Sequence, residues 1–363
     1  MKKAKLIVPV LWILFLRVVN LSGQITDRIM VHGYGEWSYG KTNENLYLSG
    51  SKDGNFSYAQ FALNISSKPT DKLTLVFQAR FCQKPERTSM EFDYAFAQWK
   101  FADPLIFRIG KIKQPYGIYT EIYDIGTLRP FFNLPQGTYG LPGFGTKAYN
   151  GIGFTGTFFR GSDWNLQYDM YGGEIYLLEM ETSLTGAVNP VLEKCFGGKL
   201  TLYTPIDGLN LSLSSFTGKF ELEELAIFSG RYLFYASSVE YFANAWCIRS
   251  EYTHYGKKDG EFTHNSAYLE VGYEFIEGWQ IAACYDWSDV EATDLAEVLD
   301  PTIAHEAWSL GINYWFSSEF VLKLSYHSVK GNRYAKPEDF LGAIMTGTWE
   351  DTQLVLFGAQ FSF

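Results

Sequence analysis

Long hydrophobic runs are missing from nearly all of this 363-residue chain. Past residue 24, no apolar stretch approaches the ~20 residues that a membrane-spanning helix requires. That leaves a soluble extracytoplasmic protein or a membrane protein that crosses as a closed sheet, since lipid tolerates no unpaired backbone. Cysteine is scarce: Cys82, Cys195, Cys247 and Cys284 have neither CxxC spacing nor adjacent histidines. They read as small inert side chains, with no metal and no cofactor indicated. Cationic residues are outnumbered, 30 Lys and Arg against 40 Asp and Glu, a formal net charge of -10. An acidic exterior argues against a nucleic-acid partner. No Pro- or Ser-rich linker divides the chain, which reads as one domain over 24–363.

The exception to the missing apolar runs is at the start. Lys2, Lys3 and Lys5 precede an apolar run from Leu6 to Leu16 and a short polar tail to Gln24. This order is that of a secretory signal peptide over 1–23, with a retained anchor as the alternative. Its removal takes four positive charges from the chain and moves the formal net charge from -10 to -14.

Aromatic residues are abundant, at 18%, and 47% of the chain is hydrophobic. They are distributed in short alternating runs. Leu73, Leu75, Phe77, Ala79 and Phe81 share one parity, with Thr74, Gln78 and Arg80 on the other. Trp279, Ile281, Ala283, Tyr285 and Trp287 alternate with Gln280, Cys284, Asp286 and Ser288. Period two places successive side chains on opposite faces of a sheet. About sixteen such strands can be placed, between 30–39 and 352–363. Short turns such as 66–71, 102–104, 205–208 and 276–278 separate long loops near 40–55, 113–149, 172–195, 217–232, 289–306 and 329–351. Short turns on one rim and long loops on the other predict an all-β transmembrane antiparallel barrel. A soluble β-sandwich also alternates, but it has no need for aromatic residues at both strand ends. Trp279 with Trp287, and Trp308 with Phe316, have the spacing of two interfacial girdles.

If the apolar face meets outer-membrane lipid, the other face lines the interior, and ~16 strands leave an aqueous channel. The parity places Arg80, Arg108, Arg249, Glu251, Glu270, Asp286 and Lys323 on that interior face. The interval 113–149, KQPYGIYTEIYDIGTLRPFFNLPQGTYGLPGFGTKAY, is the longest without a strand pattern. The expectation is that it folds inward as a constriction. Glu121 and Asp124 would then face Arg80 and Arg108, with Lys113 and Arg129 adding cationic character. The opposing view leaves these charges solvated outside the mouth.

The final run, QLVLFGAQFSF, puts Phe361 and Phe363 on its apolar face. It resembles the terminal strand recognised by the barrel assembly machinery of Gram-negative bacteria. With the strand count, the long loop after the fifth strand and the phrase GKIKQPYGIYTEIYDIGTLRPFF, the chain resembles the Gram-negative porin family, including porin-like proteins of Bacteroidetes and proteobacteria with phosphate-selective-like members. The acidic PEFGG-type phrase of enterobacterial general porins is absent from the loop. The resemblance implies a third loop folded into the channel, passive diffusion of small polar or ionic solutes, and a homotrimer. Its alternatives are a channel selective for phosphate, other anions or sugars, or an adhesin or receptor acting through its outer loops. An outer-membrane enzyme is disfavoured. His32, His254, His264, His305 and His327 are scattered, with no GxSxG or HExxH phrase.

Overall fold

The computed structural model describes residues 28–84, 87–123, 125–140, 148–176, 180–182, 186–188, 191–221, 229–260, 262–292, 304–335 and 351–363. The expected signal peptide and Asp124 lie outside them.

Sixteen long strands form a closed antiparallel barrel. They are β1 Ile29–Thr42, β2 Asn55–Ser67, β3 Leu73–Lys84, β4 Arg87–Ala102, β5 Leu105–Lys113, β6 Ala148–Phe158, β7 Asn165–Tyr176 and β8 Val191–Tyr203. They continue as β9 Leu209–Phe220, β10 Gly230–Ala243, β11 Trp246–Lys257, β12 Phe262–Ile276, β13 Trp279–Ala292, β14 His305–Ser317, β15 Phe320–Lys330 and β16 Thr352–Ser362. Each pairs with its neighbour in sequence. The seam closes between β1 and β16, with Tyr34 opposite Ser362 and Trp37 opposite Ala359. Closure leaves none of these sixteen described strands with an unpaired edge, the condition a sheet must meet within lipid. A two-residue strand, Gly50–Ser51, pairs in parallel with Gly40 and Lys41 near the seam.

Burial confirms the two faces. Leu200, Leu213, Leu269, Ile281, Leu310 and Val355 stand exposed on the outside. Glu36, Gln78, Glu251, Asp286, Lys323 and Gln360 are buried on the inside. This inverts a soluble fold and gives an outer surface suited to lipid. Trp279, Trp308 and Phe316 are exposed outward near strand ends, as interfacial anchors are.

Strands run beyond the expected limits towards the long-loop rim. The interval expected as a loop over 172–195 is mostly strand, because β7 continues to Tyr176 and β8 begins at Val191. It also contains a small hairpin, Met180–Thr182 with Gly186–Val188. Beyond the membrane the outward face need not be apolar, so the alternation fades while the backbone ladder continues. At the opposite rim the turns are tight, and Gly278 has φ +77, which a side chain would strain.

Candidate functional site

The segment between β5 and β6 contains a 3-10 turn, Gly126–Leu128, and a single α-helical turn, Gln136–Tyr139. Its apolar residues decide where it packs. Ile118, Tyr119, Phe131, Leu134 and Tyr139 cluster with Tyr268, Ala282 and Cys284 from the inner face of β12 and β13. Phe132 packs with Ala307, Val329, Leu354 and Leu356 from β14 to β16. Each such buried side chain contributes roughly 1.5–3 kcal/mol relative to exposure. The inner face of these strands thus offers the segment an apolar bed.

The polar contacts fix the segment's register on that bed. The amide of Ile118 donates to Glu251 Oε2 at 2.8 Å, and the Tyr139 hydroxyl donates to Glu251 Oε1. The Gly117 amide donates to Ser214 Oγ at 3.0 Å. Gly117 has φ +59, and a Cβ there would lie 2.6 Å from the Tyr139 hydroxyl and 2.8 Å from Glu251. Glycine is required by both conformation and space. At the helical turn, the Gly137 amide donates to both Asp286 oxygens, at 3.1 and 3.0 Å, while His305 Nε2 holds Asp286 Oδ2 at 3.0 Å.

Between these points, the Tyr119 hydroxyl donates to Glu270. Arg249 donates to that hydroxyl at 3.0 Å, to Glu270 at 3.3 Å and to the Leu128 carbonyl at 3.0 Å. Burial, and then the Glu270 carboxylate, raise the Tyr119 hydroxyl well above the ordinary tyrosine range. Burial and Glu251 do the same for Tyr139. Both phenols are therefore held as donors. Lys323 donates to the carbonyls of Gly126 at 2.8 Å, of Arg129, and of Phe131 at 3.4 Å. Arg129 in turn reaches Glu36 at 3.3 Å, and Gln360 donates to the same Glu36 oxygen at 2.7 Å.

Arg249, Glu251, Glu270, Asp286 and Lys323 therefore lie on the inner face, as parity predicts, but not against open water. Their exposures are 4, 2, 1, 4 and 1%, because the segment covers them. Alternation identifies a face and says nothing of what occupies the space before it.

The expected facing of Glu121 with Arg80 and Arg108 is replaced by other pairings. Glu121 meets Lys199 of β8 at 2.9 Å, and Lys199 also donates to the Gly117 carbonyl at 2.8 Å. Arg108 lies 3.7 Å from Asp169 and donates to Gln98 at 2.9 Å. Arg80 pairs with Glu91 of β4. Lys113 donates to the Glu121 carbonyl at 3.1 Å and lies over the Tyr94 ring. The register explains the pairing, since Lys199 sits opposite Asp169 on β7. Arg108, Asp169, Lys199 and Glu121 thus form a row of alternating charge. Lys199 escaped the sequence reading, although it alternates with Leu200 and Leu202 as an inward residue should. Phe361 and Phe363 face outward, and Phe363 stacks on Phe61 with ring centres 6.2 Å apart.

Towards the short-turn rim, the segment roofs a cavity of about 560 Å³ lined by strands β7 to β11, β13 and β14.

These features define a class, the 16-stranded outer-membrane barrel with an internal segment between its fifth and sixth strands. Solved structures of outer-membrane porins and channels are similar to this chain in fold. The Acinetobacter baumannii outer-membrane channel DcaP aligns with TM-score 0.60 and 11% identity over 92% of this chain and 97% of its own. Salmonella typhi OmpF, in complex with daunomycin, gives 0.59 and 16% over 92% and 97%. An anion-selective porin from Comamonas acidovorans gives 0.59 and 13% over 92% and 99%. At these identities the likeness is one of fold. No family model matches the chain, and no curated protein does.

Proposed function

We propose that the chain is a channel of the Gram-negative outer membrane, passing small polar or ionic solutes by passive diffusion along a path narrowed by the 113–149 segment. The observation that carries this reading is an asymmetry of exposure inside the barrel. The anchors beneath the segment are almost wholly buried, whereas Glu91, Glu121 and Arg108 keep 40, 35 and 27% of their side-chain surface. The wall of β3 to β8 is packed in part, with Tyr149, Tyr171 and Leu192 buried in an aromatic cluster and Arg80, Asp169 and Lys199 at 7, 7 and 10%, but around Glu91, Arg108 and Glu121 it keeps access to water. Its charges alternate in sign and are paired, which favours weak ion selectivity. Trimeric assembly rests on likeness alone, one solved neighbour being a Vibrio cholerae outer-membrane protein described in trimer form.

The test is reconstitution of the refolded chain in planar bilayers under a salt gradient. Discrete ohmic steps with a reversal potential near zero are expected. A folded protein that carries no current contradicts the reading, and a strong preference for one ion sign contradicts the weak selectivity.

A further inference from the structure

We propose that the cavity beneath the internal segment binds a neutral, polyhydroxylated solute of roughly disaccharide size, an assignment that rests on the channel reading above. Its volume of about 560 Å³ falls within the ~300–1,000 Å³ of sites that enclose small molecules. Three aromatic side chains face it from separate strands, Tyr203 on β8, Phe242 on β10 and Trp315 on β14. One face of Phe242 is taken by the Arg249 guanidinium, 4.7 Å from the ring centre.

Among the polar groups of the lining the charges are engaged, as are Gln167, Gln280 and the Tyr203 hydroxyl, while four neutral side chains are not. Lys199 is held by Glu121, Arg249 by Glu240 and Glu270, and Arg129 by Glu36. An ionic solute would have to separate one of these pairs and leave a partner charge poorly solvated. By contrast, Thr127, Thr201, Asn210 and Ser212 line the same space with hydroxyl and amide groups that, among the described residues, the protein leaves without partners. Each can both donate and accept. Flat apolar rings beside neutral donor-acceptor groups suit a solute with C–H faces and a rim of hydroxyls. Saccharides have that chemistry, and phosphate or a purely apolar molecule does not.

The experiment titrates the full refolded chain in detergent with sucrose, inorganic phosphate and a polyethylene glycol of matching mass, by isothermal calorimetry. Saturable sucrose binding is expected, weakened about five- to tenfold by Tyr203→Ala and, separately, by Asn210→Ala, with phosphate and glycol giving none. Retained heat-modifiable mobility on gels confirms that each variant is folded. The proposal is overturned if sucrose does not saturate, if phosphate saturates in its place, or if both folded variants bind like the wild type. Bilayer current judges the other reading separately. Sucrose binding without current rejects the channel and keeps the site, and current without sucrose binding does the reverse.

Discussion

Lys323 directs its Nζ at the carbonyl oxygen of Gly126, 2.8 Å away and 197 positions earlier in the chain. With the Arg129 and Phe131 carbonyls it forms a three-oxygen clasp on the 3-10 turn. A lysine only 1% exposed and bonded to the segment's backbone is an anchor for that segment.

Lys323→Met keeps the length of the side chain and removes the donors. The three carbonyls then lose their shared donor, at a cost of about 1–3 kcal/mol for each group left unsatisfied, while the Gly126 carbonyl keeps the Arg129 amide at 3.1 Å. The expected outcome is a lower thermal midpoint with the barrel intact, and a noisier, larger single-channel current as the turn loosens. A quiet current of wild-type size in the folded variant would show that Lys323 does not hold the segment.

Glu251 collects the Ile118 amide, the Tyr139 hydroxyl and the Ser238 hydroxyl at 2.5 Å. Glu251→Ala takes the acceptor from both hydroxyls and leaves the Ile118 amide only the Tyr139 hydroxyl at 3.0 Å, whereas Tyr139→Phe removes one donor to Glu251 and the acceptor of the Tyr119 amide. The alanine variant is expected to lose more stability than the phenylalanine variant, read as unfolding midpoints in urea. Equal losses would mean that the carboxylate is not the hub.

Glu121 and Lys199 form a pair whose acid is about a third exposed, so its contribution to stability is small, at most about 1 kcal/mol. Its effect on permeation is larger, because Glu121→Gln leaves Lys199 uncompensated beside the water path. The reversal potential under a salt gradient is expected to move towards anions, and Lys199→Met should move it towards cations. Identical reversal potentials for both would place the pair off the conducting path.

The internal tyrosines set an alkaline limit. Tyr119 and Tyr139 are held above the ordinary value by burial and then by the adjacent carboxylates. A phenol with a raised folded value contributes stability that is fully present below the unfolded value of about 10 and is lost as pH rises beyond it. Stability should therefore be insensitive to these groups up to about pH 10 and decline above it, less steeply in Tyr119→Phe. Tyrosinate absorbance followed alongside unfolding tests this. Ionisation of these tyrosines near pH 10 in the intact barrel would contradict it.

The barrel itself was legible because alternation is a local property. Leu73 to Phe81 or Trp279 to Trp287 states its two faces without reference to the rest of the chain. The internal packing was less legible because parity names a face and not what lies across from it. Parity alone pairs Glu121 with Arg108 as readily as with any inward cation, while register brings Lys199 into reach through its position opposite Asp169. One signal was present in the sequence. The inner face carries small residues where the segment lies, Ala282, Cys284, Ala307, Gly311 and Gly358 among them. A Cβ on Gly358 would stand 2.5 Å from the Phe132 ring, and one on Gly311 would be 3.1 Å from Phe131. A run of small inward side chains marks the part of the wall that another element covers.

The central claim, that the segment between β5 and β6 narrows the water path, is tested most directly by single-channel conductance of a variant shortened within 120–135 and shown to be folded. A conductance clearly above that of the wild type, with a higher size limit for permeating sugars in liposome swelling, is the predicted result. Unchanged conductance and an unchanged size limit in the folded variant would contradict it.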